Sequence, residues 1–288
     1  MLVKPTLTDV STIEALVGDF PAQKIQSLFT EHGIDIRVED VPRSFSKYFS
    51  LMKVISGDLR GKTLVDFGCG LGVFVSQASR LGIRAEGLDV FTEYWGRCLE
   101  AAQYVTSCIS ALPFPRFTQL DFVAEEVNRD ADFVTSFGML EHIYGAEARD
   151  VVVKKMMRAL RPGGHVILTC GPNKRFPVDI SHYGPKFLFY HCLPVTLRGI
   201  YLRMFAKKGE NKDPRWLNGM SVPEIKRSIV AHGGEAVEQV FPLWIALART
   251  PLLNNRIIYW LAVLVANLLT QMQAEPVIIL LAKRKMHD

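Results

Sequence analysis

The chain has 288 residues, of which 49% are hydrophobic and 22% are charged. This is the ordinary balance of a globular protein, and it excludes a disordered chain. The five cysteines are scattered, without a Cys-x-x-Cys or Cys/His ligand spacing, so the sequence indicates neither a metal site nor a disulfide framework. Reduced thiols in the cytoplasm are the simpler interpretation.

No targeting or membrane-spanning segment is indicated by the pattern of apolar residues. The first twenty residues contain Lys4, Asp9, Glu14 and Asp19 and no continuous apolar stretch, which argues against a signal peptide. The most apolar run, 257–269, is shorter than the ~18–20 residues that a spanning helix needs. We therefore expect a cytoplasmic protein.

The positive charge is concentrated in one segment. Residues 172–219 contain nine Lys or Arg and three Asp or Glu, a net charge of +6, whereas the whole chain has +5. The same segment contains eight aromatic residues. Such a composition suits single-stranded RNA, and it equally suits a lid over an apolar, partly anionic small molecule. A solvated basic face over a small core is a third interpretation.

Residues 1–60 are predicted to form helical segments, and from Gly61 onwards strands alternate with helices. This alternation is typical of a parallel sheet that is covered on both faces. The first five strands are predicted at 63–67, 83–88, 116–120, 132–137 and 165–170. The helices between them are predicted at 73–81, 92–106 and 147–160, the last ended by Pro162-Gly163-Gly164.

The alternation breaks over 172–219 and resumes at Ser221, which can cap a helix that has Glu224 in its first turn. This helix is followed by a strand at 235–246, an apolar helix at 251–271 and a last strand at 276–282. We predict a doubly wound α/β fold with a mostly parallel, seven-stranded, Rossmann-like sheet. Its core comprises 61–171 and 220–288, and the inserted cap comprises 172–219 together with the apolar helix.

A glycine-rich loop is predicted where the first strand gives way to its helix. Asp66-Phe-Gly68-Cys-Gly70-Leu-Gly72 lets the backbone turn sharply and approach a ligand, although a merely tight turn would have the same glycines. The dinucleotide pattern G-x-G-x-x-G would place its third glycine at Val73, so it is not matched. A carboxylate at Asp66 would repel a diphosphate but suits a cationic ligand without phosphates.

The second strand ends in Gly87-Leu88-Asp89, about twenty residues beyond the loop. An acid at this place can accept hydrogen bonds from two ribose hydroxyls, whereas a solvated strand end is the alternative. Together with the loop, Asp89 predicts an adenosyl ligand.

These motifs resemble those of the class I S-adenosylmethionine-dependent methyltransferases. The resemblance is carried by VDFGCGLG (65–72), GLDV (87–90), TSFGMLEHI (135–143), LRPGG (160–164) and the S-x-x-E helix start (221–224). It implies that the glycine loop holds the methionine part, Asp89 the ribose and Asp121 the adenine amine, with Phe122 beside the ring. The implied cofactor-binding residues are Asp66, Gly68, Gly70, Gly72, Asp89, Val90, Asp121, Phe122 and Ser136.

The segment after the fourth strand differs from that of nucleic-acid and protein amine methyltransferases. Their Asn/Asp-Pro-Pro-aromatic motif is replaced by Ser136-Phe137-Gly138-Met139, and a Pro-Cys nucleophile is also missing, so DNA is not expected as the acceptor. A hydroxyl acceptor needs a base, and the two candidates are His142 and His182. Pro172-Asn173 and the Pro, Asp and His that follow resemble bacterial methyltransferases of lipid, quinone and cell-surface glycan pathways.

We therefore predict methyl transfer from S-adenosylmethionine to a small or lipid-like acceptor, at oxygen or carbon. Three alternatives are a nicotinamide-dependent oxidoreductase, a non-catalytic protein that binds S-adenosylmethionine, and an RNA methyltransferase that uses the basic insert. The insert and the apolar helix are expected to face a membrane surface or a lipid-like substrate. The alternative is that the apolar helix packs against the insert as part of the ordinary hydrophobic core, or that it forms a dimer interface.

Overall fold

The computed structural model describes residues 41–90, 99, 102–103, 106, 114–176, 190–205, 213–215, 217–240, 261, 264–265, 268–269, 271–273 and 277–286. The helices are α1 (Val41–Ser56), α2 (Val73–Arg80), α3 (Ala146–Ala159), α4 (Val195–Phe205) and α5 (Val222–Ala231). The strands are β1 (Thr63–Phe67), β2 (Arg84–Asp89), β3 (Arg116–Gln119), β4 (Ala131–Phe137), β5 (Leu160–Cys170), β6 (Gly234–Gln239) and β7 (Ile278–Arg284).

The seven strands form one sheet in the order β3-β2-β1-β4-β5-β7-β6. β1 is parallel to both of its neighbours, β2 and β4, and β3 is parallel to β2. β7 is antiparallel to both β5 and β6. The prediction of a mostly parallel, seven-stranded α/β sheet is confirmed. The strand order reverses at β1, next to β4, which is the place where open α/β sheets bind their ligands.

The chain divides into two compact units, whose boundaries fall within β4, α3 and β5. Unit 1 comprises 1–135 and 158–164, and unit 2 comprises 136–157 and 165–288. The predicted boundaries of the inserted cap are not those of the units, and they stay a prediction.

The core of unit 1 is built from apolar strands and aromatic side chains. Leu64 to Phe67 of β1 are all buried, and Phe67 packs against Phe122 with ring centroids 5.7 Å apart. Phe49 of α1 stacks on Phe74 of α2 at 4.7 Å. The predicted helix 92–106 falls mostly outside the described residues, as do residues 1–40 of the predicted N-terminal helical segment.

In unit 2 the predicted cap of α5 is confirmed. Ser221 lies outside the helix in an extended conformation, and its hydroxyl accepts a hydrogen bond from the Glu224 amide at 3.4 Å. Pro223 in the first turn costs no hydrogen bond, because the first amides of a helix have no partner within it. The helix ends where Gly233 takes a positive φ of 87°.

The sequence prediction for LRPGG was wrong. We expected Pro162-Gly163-Gly164 to separate a helix from a strand, but α3 ends at Ala159 and the whole segment forms the first half of β5. Gly163 tolerates the bend with a φ of 76°. At Gly164 a Cβ would lie 2.9 Å from the Ala131 carbonyl oxygen, so this glycine allows close approach of two backbones.

The two predicted elements near the C-terminus are only partly described. The strand predicted at 235–246 is β6, which ends at Gln239, and residues 241–250 lie outside the described residues. Within the predicted apolar helix 251–271, each described residue from Leu261 to Gln271 is helical. Across the part of the chain that is described, no helix is both long enough and apolar enough to cross a membrane.

Candidate functional site

The glycine loop follows β1 in unit 1, at the sheet edge where the strand order reverses. Gly68, Gly70 and Gly72 have φ values of 74°, 51° and 66°, in the left-handed region that residues with a side chain rarely adopt. The loop is held against β2, because the Gly68 amide donates to the Leu88 carbonyl at 2.8 Å. Three glycines are therefore required by the path of the backbone.

The surroundings of these glycines differ in a way that separates packing from ligand contact. A Cβ at Gly72 would clash with the Phe117 ring and lie 2.8 Å from the Ala102 Cβ, so this glycine makes room for neighbouring side chains. A Cβ at Gly87 would likewise lie 2.6 Å from the Cys69 sulfur. A Cβ at Gly70 would meet no atom of the described residues within 4 Å. Of Gly70, Gly72 and Gly87, Gly70 is thus the one that leaves space for a ligand beside the described residues.

Asp89 and the glycine loop are joined by a direct hydrogen bond. The Gly70 amide donates to Oδ2 of Asp89 at 2.8 Å, and the carboxylate is half-buried at the end of β2. This bond orients the carboxylate toward the loop. An adenosyl ligand that contacts Gly70 would bring its ribose hydroxyls to an acceptor that is already positioned.

Asp66 is a buried carboxyl group close to a second one. It is only 2% exposed, and the Thr135 hydroxyl donates to its Oδ1 at 2.6 Å. The pKa of Asp66 is raised to about 7, and burial is the largest cause. The hydrogen bond from Thr135 acts in the opposite direction, and the negative charge of Asp89 adds to the increase. A cationic ligand would favour the ionised form, so the residues present fit the sulfonium and amino groups of S-adenosylmethionine.

The remaining predicted cofactor residues of unit 1 lie after β2 and β3. The carbonyl of Val90 accepts a hydrogen bond from the Gln119 side chain at 3.2 Å. Asp121 is exposed, and its Oδ1 accepts from the amides of Val123 and Ala124, so this oxygen caps a turn. The Phe122 side chain is 4% exposed. Contacts of Asp121 and Phe122 with adenine stay predictions.

Unit 2 contains the rest of the residues predicted around the reaction. Ser136 is fully buried, and its hydroxyl has no hydrogen-bond partner among the described residues. Glu141 and His142 lie in a 3-10 helix, Leu140–His142, with opposite exposures. Glu141 is 2% exposed and accepts from the Gly171 amide at 3.3 Å, whereas His142 is exposed. Of this pair, His142 is the side chain that could contact an acceptor.

The backbone around His142 is held by residues that the sequence analysis missed. The Asn218 side-chain amide donates to the carbonyls of Glu141 at 3.0 Å and Ile143 at 3.5 Å, and its backbone amide donates to the Glu141 carbonyl at 2.8 Å. Arg149 donates to the Ile143 carbonyl at 3.1 Å. No local pattern marks Asn218, because the carbonyls of Glu141 and Ile143 lie more than seventy residues away in the sequence.

A second carboxyl group with strong neighbours, that of the half-buried Glu224, lies beside the start of the predicted insert. Glu224 accepts from Arg149 at 3.1 Å and from Lys174 at 2.9 Å. Burial raises the pKa of Glu224, but hydrogen bonds from Lys174 and Arg149 outweigh it and hold the pKa below its usual value. This network connects the insert, α5 and the backbone after His142, and its role is structural.

The insert begins and ends at the same place. Asn173 and Met220 form a parallel bridge, in which the Lys174 amide donates to the Met220 carbonyl and the Met220 amide donates to the Pro172 carbonyl. This geometry is that of a segment inserted between β5 and α5. His182, the second predicted base, lies outside the described residues. Among the residues that are described, no group of three or more His, Cys, Asp or Glu is placed to hold a metal ion.

A family model described as methyltransferase domain matches residues 39–212, which is more than half of the chain. The match includes the glycine loop, Asp89 and His142.

Three similar curated proteins are bacterial ubiquinone biosynthesis O-methyltransferases. That of Cupriavidus pinatubonensis is 31% identical over 112 residues, covering 38% of this chain and 42% of the relative. That of Photorhabdus laumondii is 31% identical over 122 residues, covering 42% and 48%. That of Klebsiella pneumoniae is 33% identical over 121 residues, covering 40% and 44%. The chain spans less than half the length of each of these relatives.

Among solved structures, phosphoethanolamine N-methyltransferase 2 of Haemonchus contortus has a similar fold. Its structure with S-adenosyl-L-methionine superposes with a TM-score of 0.52 at 17% identity, covering 98% of this chain and 58% of the other. Its structure with phosphomonomethylethanolamine and S-adenosylhomocysteine gives a TM-score of 0.50 at 18% identity, covering 84% and 53%. At such identities the likeness concerns the fold.

Proposed function

Because the chain belongs to the methyltransferase domain family, we propose that it transfers a methyl group from S-adenosylmethionine to a small, lipid-like acceptor. The observation that carries this proposal is the arrangement of Gly70, Asp89 and Asp66. The first leaves space for a ligand, the second binds the Gly70 amide at 2.8 Å, and the third is a buried carboxyl suited to a cation.

The cofactor contacts of the proposal follow from these residues. Asp89 accepts hydrogen bonds from the ribose hydroxyls, and Asp66 offsets the positive charge of the sulfonium and amino groups. Asp121 and Phe122 bind the adenine, and the Val90 backbone completes the cofactor residues of unit 1. Ser136 is the cofactor residue proposed in unit 2. The buried Ser136 hydroxyl supports this assignment, because a buried polar group without a partner in the described protein is suited to a ligand.

The reaction proposed is an in-line displacement. The acceptor oxygen forms a bond to the methyl carbon while the carbon–sulfur bond breaks, and the electron pair of that bond stays on the sulfur. The hydroxyl proton goes to a base, for which His142 and His182 are the candidates. Alignment of the two substrates is the main contribution of the protein, and proximity can lower the barrier by ~7–11 kcal/mol.

An oxygen atom of an apolar molecule is the acceptor we propose, in preference to carbon. The curated relatives with 31–33% identity are O-methyltransferases of ubiquinone biosynthesis, which supports a hydroxyl acceptor with lipid character. The insert provides aromatic side chains, and its base contacts the residues that follow the apolar helix through the Asn173–Gln273 hydrogen bond. We further propose peripheral contact with a membrane, from which such an acceptor would be taken.

RNA methylation is the second candidate, and one observation favours it. The segment 172–219 has a net charge of +6 and eight aromatic residues, which also suits stacking and phosphate contacts with single-stranded RNA. A protein that binds S-adenosylmethionine without catalysis is the third.

The test uses S-adenosylmethionine labelled in its methyl group. The full chain is incubated in parallel with a total lipid extract and with total RNA, and label is measured in the organic phase and in RNase-sensitive, acid-insoluble material. We expect label in the organic phase that resists alkaline hydrolysis, as an ether would. Label in RNA would favour the second candidate. Tight S-adenosylhomocysteine binding without label in either fraction would favour the third.

A further inference from the structure

Helix α4 of the insert presents an apolar stripe to solvent. Four large apolar side chains on this helix, each about half exposed or more, are Leu197, Ile200, Met204 and Phe205. At 3.6 residues per turn the first three lie on one side of the helix. The opposite side is buried through Arg198 and Leu202. The exposed Arg203 lies beside the apolar stripe, where its charge can remain in water.

The apolar helix near the C-terminus presents a second stripe of the same kind. Its exposed side chains are spaced by three, four and seven residues from the first, and they are Leu261, Leu264, Val265 and Leu268. This spacing places the four within about one third of the helix circumference. The exposed Met272 follows directly after the last helical residue and extends the stripe. The exposed fractions of the nine side chains in the two stripes range from 49% to 67%, which is unusual for so many large apolar residues.

Residues that flank both helices contact the base of the predicted insert. The Asn173 side chain donates to the Gln273 carbonyl at 2.8 Å, and the Asn173 carbonyl contacts Nε2 of His191 at 3.1 Å, just before α4. Arg175 donates to the Met272 carbonyl at 2.8 Å. Asn173 is completely buried, so these contacts are a fixed part of the fold of unit 2. Asn173 therefore contacts both segments that carry the stripes, and these two segments make up one element of unit 2.

The charge of this element indicates what the stripes contact. The segment that contains α4 carries nine basic and three acidic residues, and α4 itself has no acidic residue. An apolar surface bordered by positive charge is complementary to a bilayer that contains anionic lipids, because the side chains enter the acyl boundary while the cations remain at the phosphates. A second copy of this chain would bring the same positive charge against itself.

We infer that the apolar stripes of α4 and of the C-terminal apolar helix dock unit 2 on an anionic membrane surface. This inference rests on the proposed function, because docking would bring the insert to the membrane where a lipid-like acceptor resides. Binding involves no covalent step and leaves the glycine loop of unit 1 unaltered.

The test is co-sedimentation of the full chain with vesicles of phosphatidylcholine alone and of phosphatidylcholine mixed with phosphatidylglycerol, at low and high salt. Wild-type protein should bind the anionic vesicles at low salt, and high salt should weaken this binding. Ile200→Asp and Leu264→Asp should each reduce partitioning about ten-fold or more, because each variant removes an apolar side chain from the contact with the bilayer and adds a negative charge. Arg203→Gln should reduce partitioning about five-fold.

The matched control is Val230→Asp on α5. Val230 is 53% exposed, as the stripe residues are, so this variant introduces the same charge on another helix and should bind vesicles as wild type does. Absence of vesicle binding, or equal loss with Val230→Asp, would overturn the inference. A dimer in light scattering that Leu264→Asp dissociates would overturn it too. Calorimetric titration with S-adenosylhomocysteine of each variant reports the cofactor site separately, so failure of docking and failure of the proposed function are distinguishable.

Discussion

Asp66 in unit 1 is buried and Glu224 in unit 2 is half-buried, and their surroundings shift the pKa values of the two carboxyl groups in opposite directions. The neighbours that shift the pKa of Asp66 are the Thr135 hydroxyl and the negative Asp89, and with burial they give a raised value of about 7. Glu224 has Lys174 and Arg149 as partners, and its pKa is lowered. The carboxylate of Glu224 is thus neutralised by basic side chains of the protein, whereas Asp66 is left suited to a cationic ligand.

This difference separates a structural network from a binding site. A carboxylate with two basic partners contributes to folding, because ionisation is favoured in the folded state. A buried carboxylate beside another acid destabilises the folded protein at neutral pH, and such a cost is typical of functional sites. The two regions can be compared by substitution, from the largest expected effect to the smallest.

The largest effect is expected when the two loop glycines are exchanged for alanine. Gly72→Ala combines left-handed strain with a clash against Phe117 and should lower the free energy of unfolding by ~3–5 kcal/mol. Gly70→Ala adds strain but no clash and should lower it by only ~1–2 kcal/mol. Thermal denaturation measures both. The proposal for Gly70 also requires weaker S-adenosylhomocysteine binding, and normal affinity in Gly70→Ala would contradict it.

The second prediction concerns the pH dependence that Asp66 imposes. Its pKa is raised in the folded state, so its contribution to stability is complete below pH 3.8 and is lost as the pH rises through about 7. Asp66→Asn removes this loss and should stabilise the protein at pH 8 by up to about 4 kcal/mol, with little gain at pH 4. Denaturant titrations at the two pH values measure the difference.

Glu224→Gln should change the stability at pH 8 in the opposite direction to Asp66→Asn. The lowered pKa of Glu224 means that its contribution is present above its ordinary value of 4.5 and is lost as the pH falls through the folded value. The substitution should therefore destabilise the protein at pH 8 by ~1.5–3 kcal/mol, since Arg149 and Lys174 lose a charged partner. If both variants shift stability in the same direction at pH 8, the contrast between the two carboxyl groups is wrong.

The third prediction concerns cofactor affinity. Asp89→Ala removes the acceptor proposed for two ribose hydroxyls and should weaken S-adenosylhomocysteine binding by ~1.5–3 kcal/mol in calorimetric titration. The substitution also removes the partner of the Gly70 amide, so the loop loses one contact. Asp58→Ala, on an exposed residue before β1, is the control and should bind normally. Unchanged affinity in Asp89→Ala would exclude the ribose assignment.

The smallest effect is expected at Asn218 in unit 2. Asn218→Ala leaves the buried Glu141 carbonyl with one donor fewer and should cost ~1–3 kcal/mol of stability. Its contacts lie within unit 2, so S-adenosylhomocysteine affinity should be retained while methyl transfer to the lipid fraction falls. Weaker S-adenosylhomocysteine binding by Asn218→Ala, with methyl transfer unchanged, would contradict this expectation.

Several features followed from the sequence, because they depend on residues only a few positions apart. The first five strands begin and end within a few residues of their predicted places, apart from β5, which begins at Leu160. The glycine loop and the Ser221 cap were also predicted, since a positive φ needs glycine and a helix start needs a side-chain acceptor. Resemblance of the motifs to methyltransferases agrees with the family match over residues 39–212.

Only the tertiary structure decided which of these residues are accessible to a ligand. Gly70 and Gly72 look alike in the sequence, but Phe117 from β3 occupies the space beside Gly72 and not the space beside Gly70. Glu141 and His142 are neighbours, yet the first is buried and the second is exposed. The pairing of β7 between β5 and β6, the Thr135 contact with Asp66 and the Asn218 contacts likewise join distant segments. Burial and charge at a site depend on what the fold brings next to it, and local patterns contain no record of that.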